Sequence, residues 1–301
     1  MRTRLAALTA ITALSALVAG CGGEPLSDPV RSPSTSSSSA ASPVPSPVPS
    51  PAATSLDDPS VPLAERLAQA LATVASGESG SGDVRDAALF EQTTARSLAR
   101  GPRGKADEVL GALGRADRAQ LRSDIAAARE LMAMTDPQPK LPDWRIVTPP
   151  TPGELRPLYR RAQRETGTPW EYLAAVHLVE TRMGRIRGTS TAGAQGPMQF
   201  LPSTFAQYGA GGDINDPGDA IMAAGRMLAN NGAPRDMAGA LWAYNHSDRY
   251  VAAVSAYAEQ MRRSPAAYDL YWHWQVLYRH QSGTMLLPEG YPGEKAVRIA
   301  D

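Results

Sequence analysis

The sequence predicts a mainly α-helical protein whose folded part follows a long unfolded tether. Leucines recur at a four-residue step, which places them on one helical stripe, at Leu63, Leu67 and Leu71. The segment 115–134 repeats this spacing of apolar residues. No run of strand-forming residues reaches a convincing length, so we expect few strands. The 301 residues are enough for one large core or for two domains.

Charge gives no indication of a nucleic-acid partner. The 30 basic residues balance the 30 acidic ones, so the chain has no net field that would attract a polyanion. Nothing in the sequence identifies a protein partner.

Residues 1–20 have the organisation of a secretory signal peptide. Arg2 and Arg4 precede an apolar run that ends in the small residues before Cys21, which is the only cysteine of the chain. This arrangement resembles the lipobox of bacterial lipoproteins, in which the cysteine carries the lipid. A free thiol at the end of a signal peptide is the alternative. The resemblance implies an exported protein that is anchored through lipid on Cys21 to the bacterial membrane and faces the cell wall.

Residues 21–62 are predicted to be a disordered tether. They are rich in proline, serine and alanine and contain almost no large apolar side chains, so they cannot form a core. At about 3.1 Å per residue, a segment of roughly 40 residues reaches on the order of 100 Å when extended. Such a tether suits a protein that works at a distance from its membrane.

Residues 63–138 are predicted to form a helical N-terminal region. A glycine-rich break at Gly77–Asp83 separates its first helix from the next, and proline-rich segments near its end separate it from the rest. Its charges are interpreted as solvated faces, and no catalytic constellation is apparent there. Residues 142–264 are predicted to be a further helical domain, and residues 265–301 an aromatic C-terminal extension.

A glutamate lies within an apolar helix of that domain. The helix is predicted to begin with Thr168 as N-cap, Pro169 at N1 and Glu171 at N3, and to close at Gly184. At about 100° per residue, Glu180 falls in the middle of the buried stripe of this helix. The pKa of a carboxyl group there rises through desolvation, which is the condition for a general acid near neutral pH.

Two other interpretations of this glutamate are open at this point. Glu180 pairs with a nearby arginine (Arg182, Arg185 or Arg187), or the stripe turns toward solvent in its last turn. His177 and Glu180 also have the i, i+3 spacing of metal ligands, but no further ligand cluster accompanies them, so a core histidine is the favoured interpretation.

Three motifs in order then give a family resemblance. They read "ETRMGR" from Glu180, "GAQGPMQFLPSTFAQYG" from Gly193, and "DINDPGDAI" followed by "ALWAYNHSDRYV" from Asp213 onward. Together they resemble the active-site region of lytic transglycosylases, the lysozyme-like enzymes that cut bacterial peptidoglycan. The first motif is similar to that of the membrane-bound B-type branch, although Met183 replaces its usual aromatic residue. The resemblance covers roughly residues 142–264 and implies an α+β lysozyme-like fold within the mainly α class.

The resemblance implies a role for each motif residue. Glu180 is the catalytic acid, and Gln199 lies near the scissile sugar. Ser190 hydrogen-bonds the glutamate or the N-acetyl group, while Tyr244 and Asn245 contact the sugar and orient Glu180. Without the resemblance, the alternative for the glycine-containing segment that carries Gln199 is an ordinary turn. The alternative for Tyr244 and Asn245 is a turn between two helices.

The implied reaction needs one carboxyl group, no cofactor and no metal. It cleaves the bond between N-acetylmuramic acid and N-acetylglucosamine in peptidoglycan glycan strands and leaves a 1,6-anhydro end. The acidic residues of the segment 213–219 are interpreted as a turn and a helix cap. The alternatives are a hydrolytic muramidase of the same fold and a non-catalytic, peptidoglycan-binding surface lipoprotein.

The aromatic residues after Pro265 are predicted to pack a terminal helix onto the domain. They occur at helical spacing, although such rings also stack on sugars, and they are Tyr268, Tyr271, Trp272, Trp274 and Tyr278.

Overall fold

The computed structural model describes residues 56–77 and 81–299, and within them the fold is built almost entirely of helices. The helices in chain order are α1 (Leu63–Ser76), α2 (Gly82–Arg100), α3 (Arg103–Ala112), α4 (Arg115–Ala133), α5 (Pro152–Thr166), α6 (Trp170–Thr181), α7 (Pro202–Tyr208), α8 (Pro217–Asn230), α9 (Met237–Tyr244), α10 (Asp248–Arg263) and α11 (Pro265–His273). The predicted mainly α class is confirmed. The signal peptide, Cys21 and most of the predicted tether lie outside the described residues.

Two small antiparallel sheets accompany the helices. The strands are β1 (Arg145–Ile146), β2 (Ile186–Arg187), β3 (Val276–His280), β4 (Gly283–Leu287) and β5 (Val297–Arg298). Strand β1 pairs with β2, and β3, β4 and β5 form a three-stranded sheet in that order. The first sheet therefore joins the segment before α5 to the segment after α6.

The few strands expected are short, but the C-terminal extension contains a hairpin that its sequence does not predict. Its first part is the helix α11, as predicted, but the chain leaves the helix at Trp274 with extended backbone angles. Strands β3 and β4 follow in an antiparallel register that runs from Val276↔Leu287 to His280↔Gly283. Gly283 has a φ of +127°, which few other residues adopt, so it permits the tight turn at Ser282. The sequence does not predict this turn, because the aromatic residues before it occur at the spacing of a helix.

The N-terminal helices form an apolar cluster of their own and also contribute to the core of the segment that follows them. Helix α10 packs against both α4 and α6, and α1 and α2 contact α11. Buried residues from α1, α2 and α4 lie in the same apolar cluster as those of α5 to α11. The described helices therefore surround α6, which is buried on every face from Leu173 to Leu178.

A buried polar cluster joins the N-terminal region to the C-terminal extension. The Asp124 carboxylate accepts hydrogen bonds from the Tyr271 hydroxyl (2.6 Å) and from Gln120 Nε2 (2.7 Å), and Glu91 accepts one from Trp274 Nε1 (3.0 Å). Burial raises the pKa of Asp124 to about 6, and burial together with the neighbouring Asp124 raises that of Glu91 well above its usual value. These contacts fix α2 and α4 against α11, since a buried carboxyl group is costly unless it is hydrogen-bonded.

Attachment to a membrane is predicted through lipid on Cys21, without a spanning helix. Of the helices in the described ranges, none is both long enough and apolar enough to span a bilayer.

Candidate active site

The helix that carries the candidate acid begins one residue later than predicted. Pro169 is the N-cap of α6 and provides no side-chain cap. Thr168 was expected to be that cap, but its hydroxyl donates to the Gly225 carbonyl of α8 (3.0 Å). The backbone amide of Trp170 instead donates a hydrogen bond to Gln163 Oε1 of α5 (3.0 Å). Helix α6 is thus positioned by its neighbours rather than by a local capping box.

The end of α6 also differs from the prediction. The helix ends at Thr181, and its C-cap is Arg182 in a left-handed conformation, rather than Gly184 closing it. Thr181 explains the tight turn, because its hydroxyl donates to the Pro197 carbonyl (2.6 Å) and accepts from the Gly184 amide (3.1 Å). The hydrogen bond from Thr181 to Pro197 connects the last turn of α6, which carries Glu180, to the loop that follows.

Glu180 lies in the last turn of α6 and lines a cavity of about 390 Å³. Its Oε1 accepts a hydrogen bond of 2.7 Å from the Tyr250 hydroxyl of α10. Burial raises the pKa of Glu180 to about 7, and the Tyr250 hydrogen bond opposes that rise because it stabilises the carboxylate. The group is therefore close to half-protonated at neutral pH, so it can both donate and accept a proton.

Neither structural alternative for Glu180 holds within the described residues. None of the ion pairs found there includes Glu180. Arg182 donates to the Leu178 carbonyl (2.7 Å), and Arg185 donates to the Trp272 carbonyl (2.8 Å). The stripe also does not turn toward open solvent, because Glu180 faces the cavity.

His177 is a core residue, as the favoured interpretation holds. It is fully buried, and its Nδ1 is hydrogen-bonded to the Tyr159 hydroxyl (2.7 Å). Burial lowers the pKa of His177 to about 3, which keeps the ring neutral. In residues 56–77 and 81–299, no group of three or more His, Cys, Asp or Glu side chains is arranged to hold a metal ion.

A folded loop places Gln199 on the cavity wall. Its ends are joined by two bonds between the backbones of Gln195 and Phe200 (2.8 and 2.9 Å). Gln199 has a φ of +49°, a strained value for a residue other than glycine, and its Nε2 donates to the Gly196 carbonyl (3.0 Å). Such strain persists only where the surroundings enforce it, as they do at binding sites.

Two tyrosines connect this loop to the candidate acid. The Tyr244 hydroxyl donates to the Met198 carbonyl of the loop (2.6 Å). Its ring is stacked on that of Tyr250, with centroids 6.3 Å apart and an interplanar angle of 5°. Because Tyr250 bonds Glu180, the loop, α9, α10 and α6 form one connected frame around the cavity.

The structure brings all five sequence-predicted site residues of the domain to one cavity. Glu180, Ser190, Gln199, Tyr244 and Asn245 line it together. Their bonds differ in detail from the implied roles, because the hydroxyl of Ser190 accepts from the Ala194 amide (3.0 Å) and not from Glu180. Contact of these side chains with a sugar stays a prediction, and Cys21 lies outside the described residues.

Sequence reasoning missed Tyr250 and half of the cavity wall. Tyr250 is in the quoted motif, but its type and spacing indicate only a buried aromatic of an amphipathic helix. The other missed wall residues come from α2, from α4 and the segment after it, and from β3, and they include Arg96, Asp124, Trp144 and Tyr278. No local pattern marks these residues, because long-range packing brings them to the site.

Other carboxyl groups near the site have distinct roles. Asp124 lines the cavity but is held by Tyr271 and Gln120, and Asp136 lines it from an exposed segment. Asp216 caps α8 by accepting from the Asp219 amide (2.9 Å), as predicted. Glu180 is the carboxyl group that joins the loop-and-tyrosine frame directly.

If the protein has the wall-cleaving activity that the motif resemblance implies, replacing Tyr250 by phenylalanine is expected to slow that cleavage and to shift its pH profile. A hydrogen bond to a charged group contributes about 1.5–3 kcal/mol, so loss of the bond to Glu180 should cost about tenfold or more in rate. The bond lowers the pKa of Glu180, so its removal raises that pKa. A rate that depends on protonated Glu180 falls as the pH rises through the pKa, and this falling limb should move to higher pH. Initial rates on purified walls across a pH series measure both effects.

Tyr172→Phe is the matched control for this experiment. Tyr172 also donates to a carboxylate, that of Glu259 (3.4 Å), but it does not line the cavity. Its removal should leave the pH profile in place. A Tyr250→Phe enzyme whose falling limb coincides with that of the unmodified protein would show that the hydroxyl does not control Glu180.

Comparison with known proteins identifies one segment of the chain. Residues 157–265 match the family model of the transglycosylase SLT domain. Neither the curated proteins nor the solved structures gave a significant match. The matched segment includes Glu180, the Gln199 loop, Tyr244 and Tyr250, whereas the walls formed by α2, α4 and β3 lie outside it.

Proposed function

We propose that the protein is a peptidoglycan lytic transglycosylase that leaves 1,6-anhydro ends, since residues 157–265 match the model of the transglycosylase SLT domain. This match supports peptidoglycan glycan strands as the substrate class. The observation that carries the finer proposal is Glu180, whose pKa is raised to about 7 in a cavity shared with Gln199 and Tyr244.

Glu180 acts first as an acid. Its proton passes to the oxygen between N-acetylmuramic acid and N-acetylglucosamine, the bond from that oxygen to C1 breaks, and the N-acetylglucosamine end leaves with a hydroxyl group. The carbonyl oxygen of the 2-acetamido group stabilises the positive charge at C1. The substrate thereby supplies the function that a second carboxylate has in many glycosidases.

Glu180 acts next as a base. Its carboxylate takes the proton of the C6 hydroxyl of the same muramic acid, O6 bonds to C1, and Glu180 returns to its protonated form. No water is consumed and no electrons are transferred. A pKa near 7 supports both steps, because the same group must be protonated before the first and ionised before the second.

A hydrolytic muramidase is the closest alternative. It would use the same acid but add water at C1, so its product would be heavier by one water molecule. Two other carboxyl groups line the cavity, but Asp124 is held by Tyr271 and Gln120 and Asp136 comes from an exposed segment, which favours the anhydro product.

A non-catalytic binding protein is the alternative from another class. A binder has no need of a desolvated acid, whose burial costs free energy unless the group has a function. Incubation of purified, dye-labelled walls with the protein tests this. We expect soluble dye to be released, and tight binding to walls without release would contradict the proposal.

We also propose that the protein is exported and held by lipid on Cys21. The basic, apolar and small-residue segments before this single cysteine support the proposal, and the proline-rich segment after it would let the domain reach the wall. Cys21→Ala in the full chain is expected to abolish incorporation of a radiolabelled fatty acid and to release the protein from the membrane fraction. Retention of both in the variant would contradict lipidation at this cysteine.

A further inference from the structure

Trp144 lies on the cavity wall although it is outside the matched domain. It immediately precedes β1 and lines the same cavity as Glu180, Ser190 and Gln199. The indole is half-buried, so part of its face is open to the cavity. Nothing in the proposed reaction uses this side chain.

An anchored tyrosine supports the indole of Trp144. The indole ring meets that of Tyr278 of β3 edge-on, with centroids 5.6 Å apart and an angle of 89°. The Tyr278 hydroxyl is in turn anchored to the Lys140 carbonyl (3.1 Å). A rigid aromatic side chain loses little entropy when it binds a ligand, which is why such residues carry much of the binding energy in recognition sites.

A glycine lets the indole lie against the loop side of the cavity. A Cβ on Gly188 would be only 2.5 Å from Trp144 Cδ1, so another residue there would displace the ring. The Gly188 carbonyl also accepts from Gln199 Nε2 (3.4 Å). Trp144 therefore lies next to Gly188, which is hydrogen-bonded to Gln199. The indole and Glu180 line the same cavity.

We propose that Trp144 is a stacking platform for a pyranose ring of the glycan strand. This proposal rests on the proposed function. A sugar ring presents an apolar face of C–H groups and polar edges, which matches an aromatic face beside polar side chains. The platform belongs to the segment before α5 and is supported by the C-terminal extension, so elements outside the SLT domain select how the strand lies.

The test is binding of soluble, uncross-linked glycan strands to the full chain carrying Glu180→Gln, which holds strands without cutting them. Trp144→Ala in this background is expected to weaken binding at least tenfold, and Trp144→Phe about threefold, since a smaller ring remains against Tyr278. Gly188→Ala, which leaves the indole present but displaced, should also weaken binding. Melting temperatures show which variants are folded.

Tyr172→Ala is the matched control. Tyr172 is also a half-buried aromatic side chain, but it does not line the cavity, so its loss should leave strand affinity unchanged. Weaker binding by the folded Trp144 variants with an unchanged control supports the platform. Unchanged affinity in either folded Trp144 variant overturns it.

A kinetic measurement separates this proposal from the proposed function. With Glu180 intact, Trp144→Phe is expected to raise KM for long strands while kcat is kept, because the contact is made equally in the ground state and the transition state. If the unmodified protein cuts no walls, the proposed function fails, whatever the binding data show. If it cuts walls and the variant's KM is unchanged, only the platform fails.

Discussion

Glu180→Gln is expected to reduce wall cleavage at least about thousandfold while the melting temperature stays near that of the unmodified protein. General acid–base catalysis contributes roughly 10²–10⁴ in rate, and here one group performs both the acid and the base step. Glutamine keeps the size of the side chain and can still accept a hydrogen bond from Tyr250, but it cannot donate a proton that is then taken back. Dye release from purified walls, followed over hours, gives the rate.

Glu171→Gln is the matched control for this loss. Glu171 lies in the first turn of the same helix and does not line the cavity, so its replacement should leave the rate unchanged. Substantial cleavage by the Glu180 variant would assign the acid to another residue. A loss in both variants would point instead to damage of α6.

Gly196→Ala is expected to lower the free energy of unfolding by about 3 kcal/mol or more and to abolish activity. Gly196 has a φ of +72°, which costs an alanine about 1–2 kcal/mol. A Cβ there would also overlap the carbonyl oxygen of Ile214, a backbone atom that cannot rotate away. Overpacking of this kind adds about 1–3 kcal/mol. Urea unfolding measures the loss, and wall cleavage shows whether the loop still positions Gln199.

Gly193→Ala isolates the cost of the backbone angle from that of the overlap. Gly193 has a similar φ of +83°, but a Cβ there would have no atom within 4 Å. We expect this variant to lose only about 1 kcal/mol. Equal losses in the two variants would mean that the contact with Ile214 does not fix the loop.

Local patterns predicted the side of α6 on which Glu180 lies but not the boundaries of that helix. The apolar stripe of α6 correctly predicted that Glu180 points toward the packed side of the helix. This prediction succeeds because the 3.6-residue period follows from helix geometry alone. The N-cap was wrong because Thr168 has a stronger partner in Gly225 of α8, and the end was wrong because Thr181 ties the turn to Pro197. Both deviations depend on residues distant in sequence, which a local pattern does not include.

The motif resemblance predicted which residues meet but not how they bond. Glu180, Ser190, Gln199, Tyr244 and Asn245 line one cavity as expected. The hydrogen bond to Glu180 comes from another residue, Tyr250, whose position next to Glu180 depends on how α10 crosses α6.

The elements around the domain were the least predictable part. The N-terminal region was interpreted as a separate helical segment without a site, and the C-terminal extension as a terminal helix. In the fold, α4 packs along α10, and β3 supports Trp144, so both regions form walls of the cavity. A hairpin of two five-residue strands has no strong signal when aromatic residues at helical spacing precede it.

The mass of the glycan ends that the unmodified protein releases from purified peptidoglycan tests the central claim most directly. If Glu180 alone serves as acid and then as base, the new muramic acid ends are 1,6-anhydro rings, lighter by one water molecule than reducing ends. Release of reducing ends instead would show that water attacks C1, and would contradict the assignment of both steps to Glu180.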